Sequence, residues 1–423
     1  MSKDRISRSR LALWFAWPAI TGEFGPAEPF ENGRDLVIEP PWPEPDDSIH
    51  DLRGEFIQSV RRAVGDSAGI AVQLSGGLDS LAVLATVIAE FGAERRISAI
   101  TIEMIDDRGR SNVPIVTGLL EALAAPCELY TADLARTPAG RPEWDAAGPR
   151  LDALPEANRV AVELAHAAGA TVLLSGDGAD ELLGSPQFLT PDLFGRGEGR
   201  HLPRYWGGHR GQHHSVATLE LLALAADQMS PRRRAMLYLA CAWPDLCTRR
   251  THEFLTAGYR GAVDEWTTAW VRSLIDLHAT NHAAFGPMEA WSDLYPHQRL
   301  RTPGLIPKRD PFLDPEFVER AMRLPLRRRY DPACPHRYWR RKSQVLKLIP
   351  ARLRPSLPTT KQIFSRAILN RIDRPFVAEN LIESGILEPD HSKRASNALI
   401  ALRVMEVEQW LTEALERGYR VTD

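Results

Sequence analysis

At 423 residues the chain has room for two domains, or for one large domain with extensions. Its 52 basic and 55 acidic side chains leave a net charge of −3, which argues against a nucleic-acid or anionic-membrane surface. Cys127, Cys241, Cys247 and Cys334 show no zinc-ligand spacing and suit a reducing cytoplasm, and no apolar run reaches membrane-spanning length.

Residues 1–36 form a basic and aromatic lead-in. Lys3 to Arg10 is basic and Leu11 to Ile20 apolar, but Trp14, Trp17 and Pro18 interrupt the run, so it is not read as a signal peptide. A Pro-rich connector, Glu39 to Asp47, follows. Ser48 to Val64 reads as an amphipathic helix with Leu52, Phe56, Val60 and Val64 on one face. From there strands and helices alternate. Strands are predicted at Ile70–Leu74, Ile97–Ile102, Cys127–Tyr130 and Thr171–Leu174. Helices are predicted at Ser80–Phe91, Val113–Ala124 and Glu156–Ala168. This alternation predicts an α/β fold, a parallel sheet covered on both faces, with ligands beyond the carboxyl ends of the strands. After Glu181 the strand signals stop. Gln187 to His214, rich in glycine, reads as a long lid loop, and the remainder as helical. The expected division is therefore 1–47 as extension and connector, 48–190 as the nucleotide-binding region, and 191–423 as lid and helical part.

Two stretches carry chemistry. In the first, a strand runs into Leu74-Ser-Gly-Gly-Leu-Asp-Ser80 and then a helix. Glycines let backbone N–H groups approach phosphate oxygens, and the helix start favours negative charge. Asp79 would repel phosphate unless a divalent cation lay between them. The second stretch, Leu174-Ser-Gly-Asp-Gly-Ala-Asp-Glu181, repeats the layout and crowds Asp177, Asp180 and Glu181 together. On neighbouring strands the two turns would converge, and Asp79 and Asp180 could share a Mg²⁺. His201, His209, His213 and His214 lie on the Gly-rich loop and are read as loop residues rather than metal ligands.

Ser75-Gly-Gly-Leu-Asp-Ser80 resembles the pyrophosphate loop of the ATP pyrophosphatase (PP-loop) superfamily. Ser175 to Glu181 resembles the second signature of the asparagine synthetase family's synthetase domain. Arg309-Asp-Pro-Phe-Leu-Asp314 is similar to that family's "R-x-P-F-L-D" segment, and Thr359-Thr-Lys-Gln-Ile-Phe-Ser365 to the site of its catalytic lysine. The resemblance implies an adenine nucleotide alpha hydrolase-like fold and an AMP-forming amide synthetase. In such an enzyme ATP activates a carboxylate as acyl-adenylate, and an amine then expels AMP. It also implies ATP contacts at Leu74, Ser75, Gly76, Gly77, Leu78, Asp79, Ser80, Ser175 and Gly176. Mg²⁺ would sit at Asp79 and Asp180, with catalytic roles for Lys361 and Asp177.

Three features refine the expectation. Residue 2 is Ser, and about fifty residues precede the synthetase region, so no glutaminase activity is expected of this chain. Relatives often carry Glu two residues before the segment's Arg, where this chain has Pro307. Glu289 or Asp293, with Tyr295 close by, are the candidates to replace it, and Glu181, Arg309 and Asp314 are further acyl-site candidates. Among family members, lasso peptide cyclases look closest, on Arg327-Arg-Arg-Tyr330, the basic stretch near Trp339 to Leu348, and Glu408-Gln-Trp-Leu411. That would make the product a macrolactam on a precursor peptide, aided by a leader-binding or protease partner; ring closure like that of β-lactam synthetase is a near variant. An enzyme fed by ammonia or a separate glutaminase, and a degenerate nucleotide-binding subunit, are the other readings.

Overall fold

The computed structural model describes residues 5–16, 25–35, 44–134, 144–149, 154–185, 188–195, 197, 199–209, 214–242, 252–281, 305–367, 376–394 and 398–423. Glu289, Asp293, Tyr295, Trp17, Pro18, Cys247, His213 and Glu39 lie outside the described residues.

Strand β1 (Arg5–Ser7) is the first element among the described residues. Strands β2 (Gly69–Gln73), β3 (Arg96–Glu103), β4 (Glu128–Asp133), β5 (Val172–Leu174) and β6 (Lys308–Arg309) form one parallel sheet. Its order is β4-β3-β2-β5-β6. The order reverses direction between β2 and β5, so the crevice at their carboxyl ends is the switch point where ligands bind in such sheets. The β2 and β3 side chains are almost wholly buried, as continuous Val/Ile/Ala runs require when helices cover both faces. Helices Leu78–Phe91 and Val113–Leu123 supply that cover on one side. Helix Pro155–Ala167 supplies it on the other, with Ala157, Val160, Ala161 and Ala165 packed on Ala71, Ile100 and Leu173.

The predicted helix at Ser48 begins only at Arg53. Asp46 accepts from the Ser48 N–H (2.8 Å) and Asp51 from the Arg53 N–H (3.0 Å), so local carboxylate turns hold the preceding residues out of the helix. The absence of strand signals after Glu181 hid β6. A two-residue strand has no periodicity to read; it is held by pairing Leu173 with Lys308 and Leu174 with Arg309. Behind it, Phe56, Phe312 and Phe317 form a triangle with ring centroids 4.5, 5.5 and 5.9 Å apart. That apolar contact anchors the segment after β6 to helix Arg53–Val64.

The expected lid loop is largely folded. Its described residues include helices Thr190–Gly195 and Leu202–His209. Buried Glu220 organises them, accepting from the Phe188 N–H (2.6 Å), the Thr190 hydroxyl (2.7 Å) and the Tyr205 hydroxyl (2.9 Å). Glycine suggested a loop, but Leu189, Leu193, Leu202 and Tyr205 bury enough apolar surface to order it.

A second core joins the ends of the chain. Strand β1 pairs in parallel with β7 (Arg420–Thr422). Ile6, Leu11, Trp14 and Phe15 are fully buried there among Phe254, Val407 and Leu411. Among the described residues no helix is long and apolar enough to cross a membrane.

Candidate functional site

The first loop opens where β2 ends. The Leu74 N–H still donates to Ile100 O (2.8 Å), and the Thr101 hydroxyl donates to the Leu74 carbonyl. Gly76 then adopts φ +85°, a conformation that favours glycine. The Ser75 N–H reaches the Ser80 Oγ (3.3 Å), and the Gly77 N–H reaches the Ser75 Oγ (3.4 Å), folding the turn on itself. Helix Leu78–Phe91 starts without a side-chain cap, leaving its first N–H groups for an anion. Leu78 and Ser80 are buried beneath it.

The second loop lies directly against the first. A β-carbon built on Gly176 would come within 2.6 Å of the Ser80 nitrogen and 2.9 Å of the Asp79 carbonyl carbon. Only glycine lets the two turns approach this closely. Ser175 is buried; its hydroxyl donates to Asp310 (2.5 Å) just past β6 and accepts from the Asp177 N–H (3.2 Å). Buried Arg329 donates to the carbonyls of Leu182 and Ala321, pinning the short helix Ala179–Leu183 that carries Asp180 and Glu181.

The charged groups meet across this junction. Lys342 Nζ stands 2.6 Å from Asp79 and 2.7 Å from Asp180, with its side chain only 4% exposed. Lys361 Nζ reaches the other oxygen of Asp180 at 2.8 Å from an exposed position. Lys308 Nζ holds Asp177 at 2.8 Å. Lys342 lies between helices Arg337–Arg341 and Ser343–Leu348. Trp339 Nε1 donates to Pro358 O (2.8 Å), steadying the approach to Lys361. From the far side, the Asp107 N–H donates to Ile363 O (2.8 Å) and the Arg366 N–H to Asp107 (3.0 Å).

Burial is the largest influence on Asp180 and pushes its carboxyl up, but Lys342 and Lys361 outweigh it and hold the group below the usual carboxylate range. Asp79 is raised: burial pushes it up, Lys342 pulls against that, and Asp180 adds to it. Burial alone would lower Lys342, yet the two carboxylates raise it, so it stays an ammonium.

Glu181 is pushed up to about 7 by burial and then by the Asp180 charge. From its ordinary value of 4.5 up to about 7 the folded chain keeps a proton that the unfolded chain has lost. Stability therefore falls as pH rises through that window and levels off above it. The expected penalty is about 2 kcal/mol between pH 5 and 8. Urea unfolding at both pH values checks it: Glu181→Gln should lose less stability than the wild type over that interval, and equal losses would refute the assignment.

The predicted residues thus divide. Leu74 to Ser80, Ser175, Gly176, Asp177, Asp180, Glu181 and Lys361 gather at the two loops. Arg309 and Asp314 are grouped instead with helix Arg53–Val64. Arg309 donates to Ala63 O (2.9 Å), while Asp314 pairs with Arg62 (2.5 Å) and accepts from the Phe317 N–H (3.2 Å). Glu289 lies outside the described residues. Lys342, Lys308 and Asp310 were not singled out from sequence. Lys342 is one of five basic residues between Arg337 and Lys347, and nothing in that stretch distinguishes the one that turns inward.

The carboxylates of Asp79 and Asp180 aim oxygens at one point, a donor set that suits Mg²⁺, which takes one or two carboxylates and completes its shell with water and substrate phosphates. Among the described residues no group of three or more His, Cys, Asp or Glu is placed to hold a metal ion by itself.

No curated protein matches the chain. Among solved structures it is similar to the U34-tRNA thiolase NcsA from Methanococcus maripaludis with its 4Fe-4S cluster. Identity is 12%, over 57% of this chain and 87% of that one, with a TM-score of 0.23, too low to bear on fold or function. Residues 51–356 match the sequence profile of the asparagine synthase family. That match takes in both loops, β6 and Lys342, and ends just before Lys361. With well over half its length so matched, the chain belongs to the asparagine synthase family, whose activity is that of an ATP-dependent, amide-forming ligase of the PP-loop class.

Proposed function

We propose that this chain adenylates a carboxylate at the expense of ATP and passes the acyl group to an amine, closing a macrolactam on a peptide. The observation that carries the first part is the convergence of Lys342 and Lys361 on Asp79 and Asp180, beside an uncapped helix start. A substrate carboxylate oxygen attacks the α-phosphorus, and the bond to the bridging oxygen breaks toward pyrophosphate. The first-loop N–H groups and helix Leu78–Phe91 receive the β- and γ-phosphates. Mg²⁺ held by Asp79 and Asp180 supplies charge neutralisation for pyrophosphate when bound. Lys361, tied at one carboxylate and exposed, swings toward the charge that develops on the phosphoryl and acyl oxygens. The amine nitrogen then attacks the acyl carbon, the electron pair of the breaking C–O bond leaves with AMP, and Asp177 accepts the ammonium proton.

A cavity of about 240 Å³ opens beside Leu74 and Ser75 and is lined by Ile102, Met104, Asn112 and Phe364. Largely apolar walls carrying the amides of Gln73, Asn112 and Asn158 suit an adenine ring. The macrolactam rests on the similarity to lasso cyclases, and the structure gives most of those residues other work. Arg327 pairs with Asp47 (3.0 Å), Arg328 donates to Asp47 O (2.6 Å), and Glu408 caps helix Glu379–Glu383 through the Asn380 and Leu381 N–H groups (3.0 and 2.9 Å).

The test is to incubate the protein with ATP, hydroxylamine and peptides that bear both a free N-terminus and an Asp or Glu side chain. AMP, pyrophosphate and a hydroxamate are expected; ADP and phosphate would overturn adenylation. Without hydroxylamine, the expected product is the peptide less one water, with no free N-terminus. A primary amide formed only from added ammonium would overturn the lactam.

A further inference from the structure

We infer that Lys342 makes metal binding at Asp79 and Asp180 conditional on nucleotide: its ammonium holds the metal position until the phosphates arrive. The inference rests on reading the two loops as the nucleotide site. Two carboxylates on adjacent loops are poor neighbours unless a cation lies between them. In this chain that cation is a side chain, within 2.7 Å of both and almost fully buried. Among the described residues no third His, Cys, Asp or Glu joins the pair as a ligand. A divalent ion arriving alone would therefore have to displace or crowd a fixed positive charge and would gain only two protein ligands. A metal–nucleotide complex brings its own oxygen ligands and enough negative charge to draw the ammonium off one carboxylate.

The backbone around Lys342 supports a held, not a drifting, cation. Its N–H is bonded to the Tyr338 and Trp339 carbonyls (both 3.2 Å), and the Ser185 N–H donates to Arg341 O (2.9 Å), tying this segment to the end of the helix that carries Asp180. Tyr338, on helix Arg337–Arg341, packs against the hydrophobic core behind this segment. The device costs little, since Lys342 needs only to rotate its terminal bonds to exchange a carboxylate oxygen for a phosphate oxygen.

The experiment measures Mn²⁺ binding by electron paramagnetic resonance on the full chain, with and without α,β-methylene-ATP, which resists cleavage at the scissile bond. Wild type should bind Mn²⁺ at least about tenfold more tightly with the analogue than without it. Lys342→Met should bind Mn²⁺ without nucleotide at least about tenfold more tightly than wild type does, and the double variant Lys342→Met/Asp79→Asn should lose that gain. Mn²⁺ alone should also raise the melting temperature of Lys342→Met and leave that of wild type unchanged. If Lys342→Met does not fold, Lys342→Gln, with a polar end that can donate to both acids, carries the same comparison. Equal Mn²⁺ affinity of wild type with and without the analogue, or no gain on removing the ammonium, overturns the inference. Failure of wild type to bind the analogue at all would instead refute the proposed function.

Discussion

Lys361→Ala is expected to lower ATP-dependent amide formation by about 10²–10³-fold and to leave the fold unchanged. The side chain is 57% exposed and, among the described residues, makes one ion pair, to Asp180 at 2.8 Å, so its removal opens no cavity. What it removes is an exposed positive charge facing the junction of the two loops. The loss should fall on kcat, because ATP is still held by the first-loop N–H groups and by Lys342. Lys361→Arg keeps the charge but brings a broad planar head, and should recover only part of the rate. Steady-state kinetics with circular dichroism check this, and a variant within threefold of wild type would remove Lys361 from the chemistry.

Gly176→Ala is the second large effect. The added methyl would lie 2.6 Å from the Ser80 nitrogen, and backbone cannot step aside as a flexible side chain can. The loops must separate, taking Asp180 away from Asp79. We expect about 1–3 kcal/mol of destabilisation from the overlap and about 10²-fold lower kcat/KM for ATP from the displaced acids. Gly54→Ala is the control: a β-carbon there meets nothing within 4 Å in helix Arg53–Val64, so the change should be neutral or slightly stabilising, by up to about 1 kcal/mol. Chemical denaturation and ATP titration separate the two consequences. If Gly176→Ala bound ATP normally, the close approach of the loops would be irrelevant to function.

Lys361 stands on a surface segment held at both ends, by Trp339 to Pro358 O and by Ile363 to Asp107. Gly176 acts inside the sheet's switch point, where β2 and β5 are hydrogen-bonded neighbours pairing Ile70 with Val172. Lys361 and Gly176 therefore both sit on backbone held in place, which the proposed stabilisation of the transition state needs.

Much of this was legible in the amino-acid order because it is written locally. Strands β2, β3, β4 and β5 and the helices between them follow from apolar runs and periodicity, since a parallel sheet must bury continuous Val/Ile/Ala segments. The two Ser-Gly turns were legible because phosphate chemistry demands small residues at fixed spacing. By contrast, β6 exists only because β5 offers it an edge, and the glycine-rich stretch before His214 folds because Glu220 and Tyr205 bury there. The motif near the end, Glu408 to Leu411, serves the second core: Trp410 stacks on Trp144 with centroids 5.1 Å apart and donates to Asp145 O.

Sequence alone determined the sheet, the two loops, Asp79, Asp180 and Lys361 as candidates, and the family, because each depends on residues close together in the chain. Only the tertiary structure decided which distant charges meet. It brought Lys342 263 residues along the chain from Asp79 and Lys308 131 residues from Asp177, and Asp310 to Ser175. Charge pairing over such separations follows from packing, with helix Ser343–Leu348 laid on Leu78–Phe91 and β6 on β5, and packing leaves no local trace.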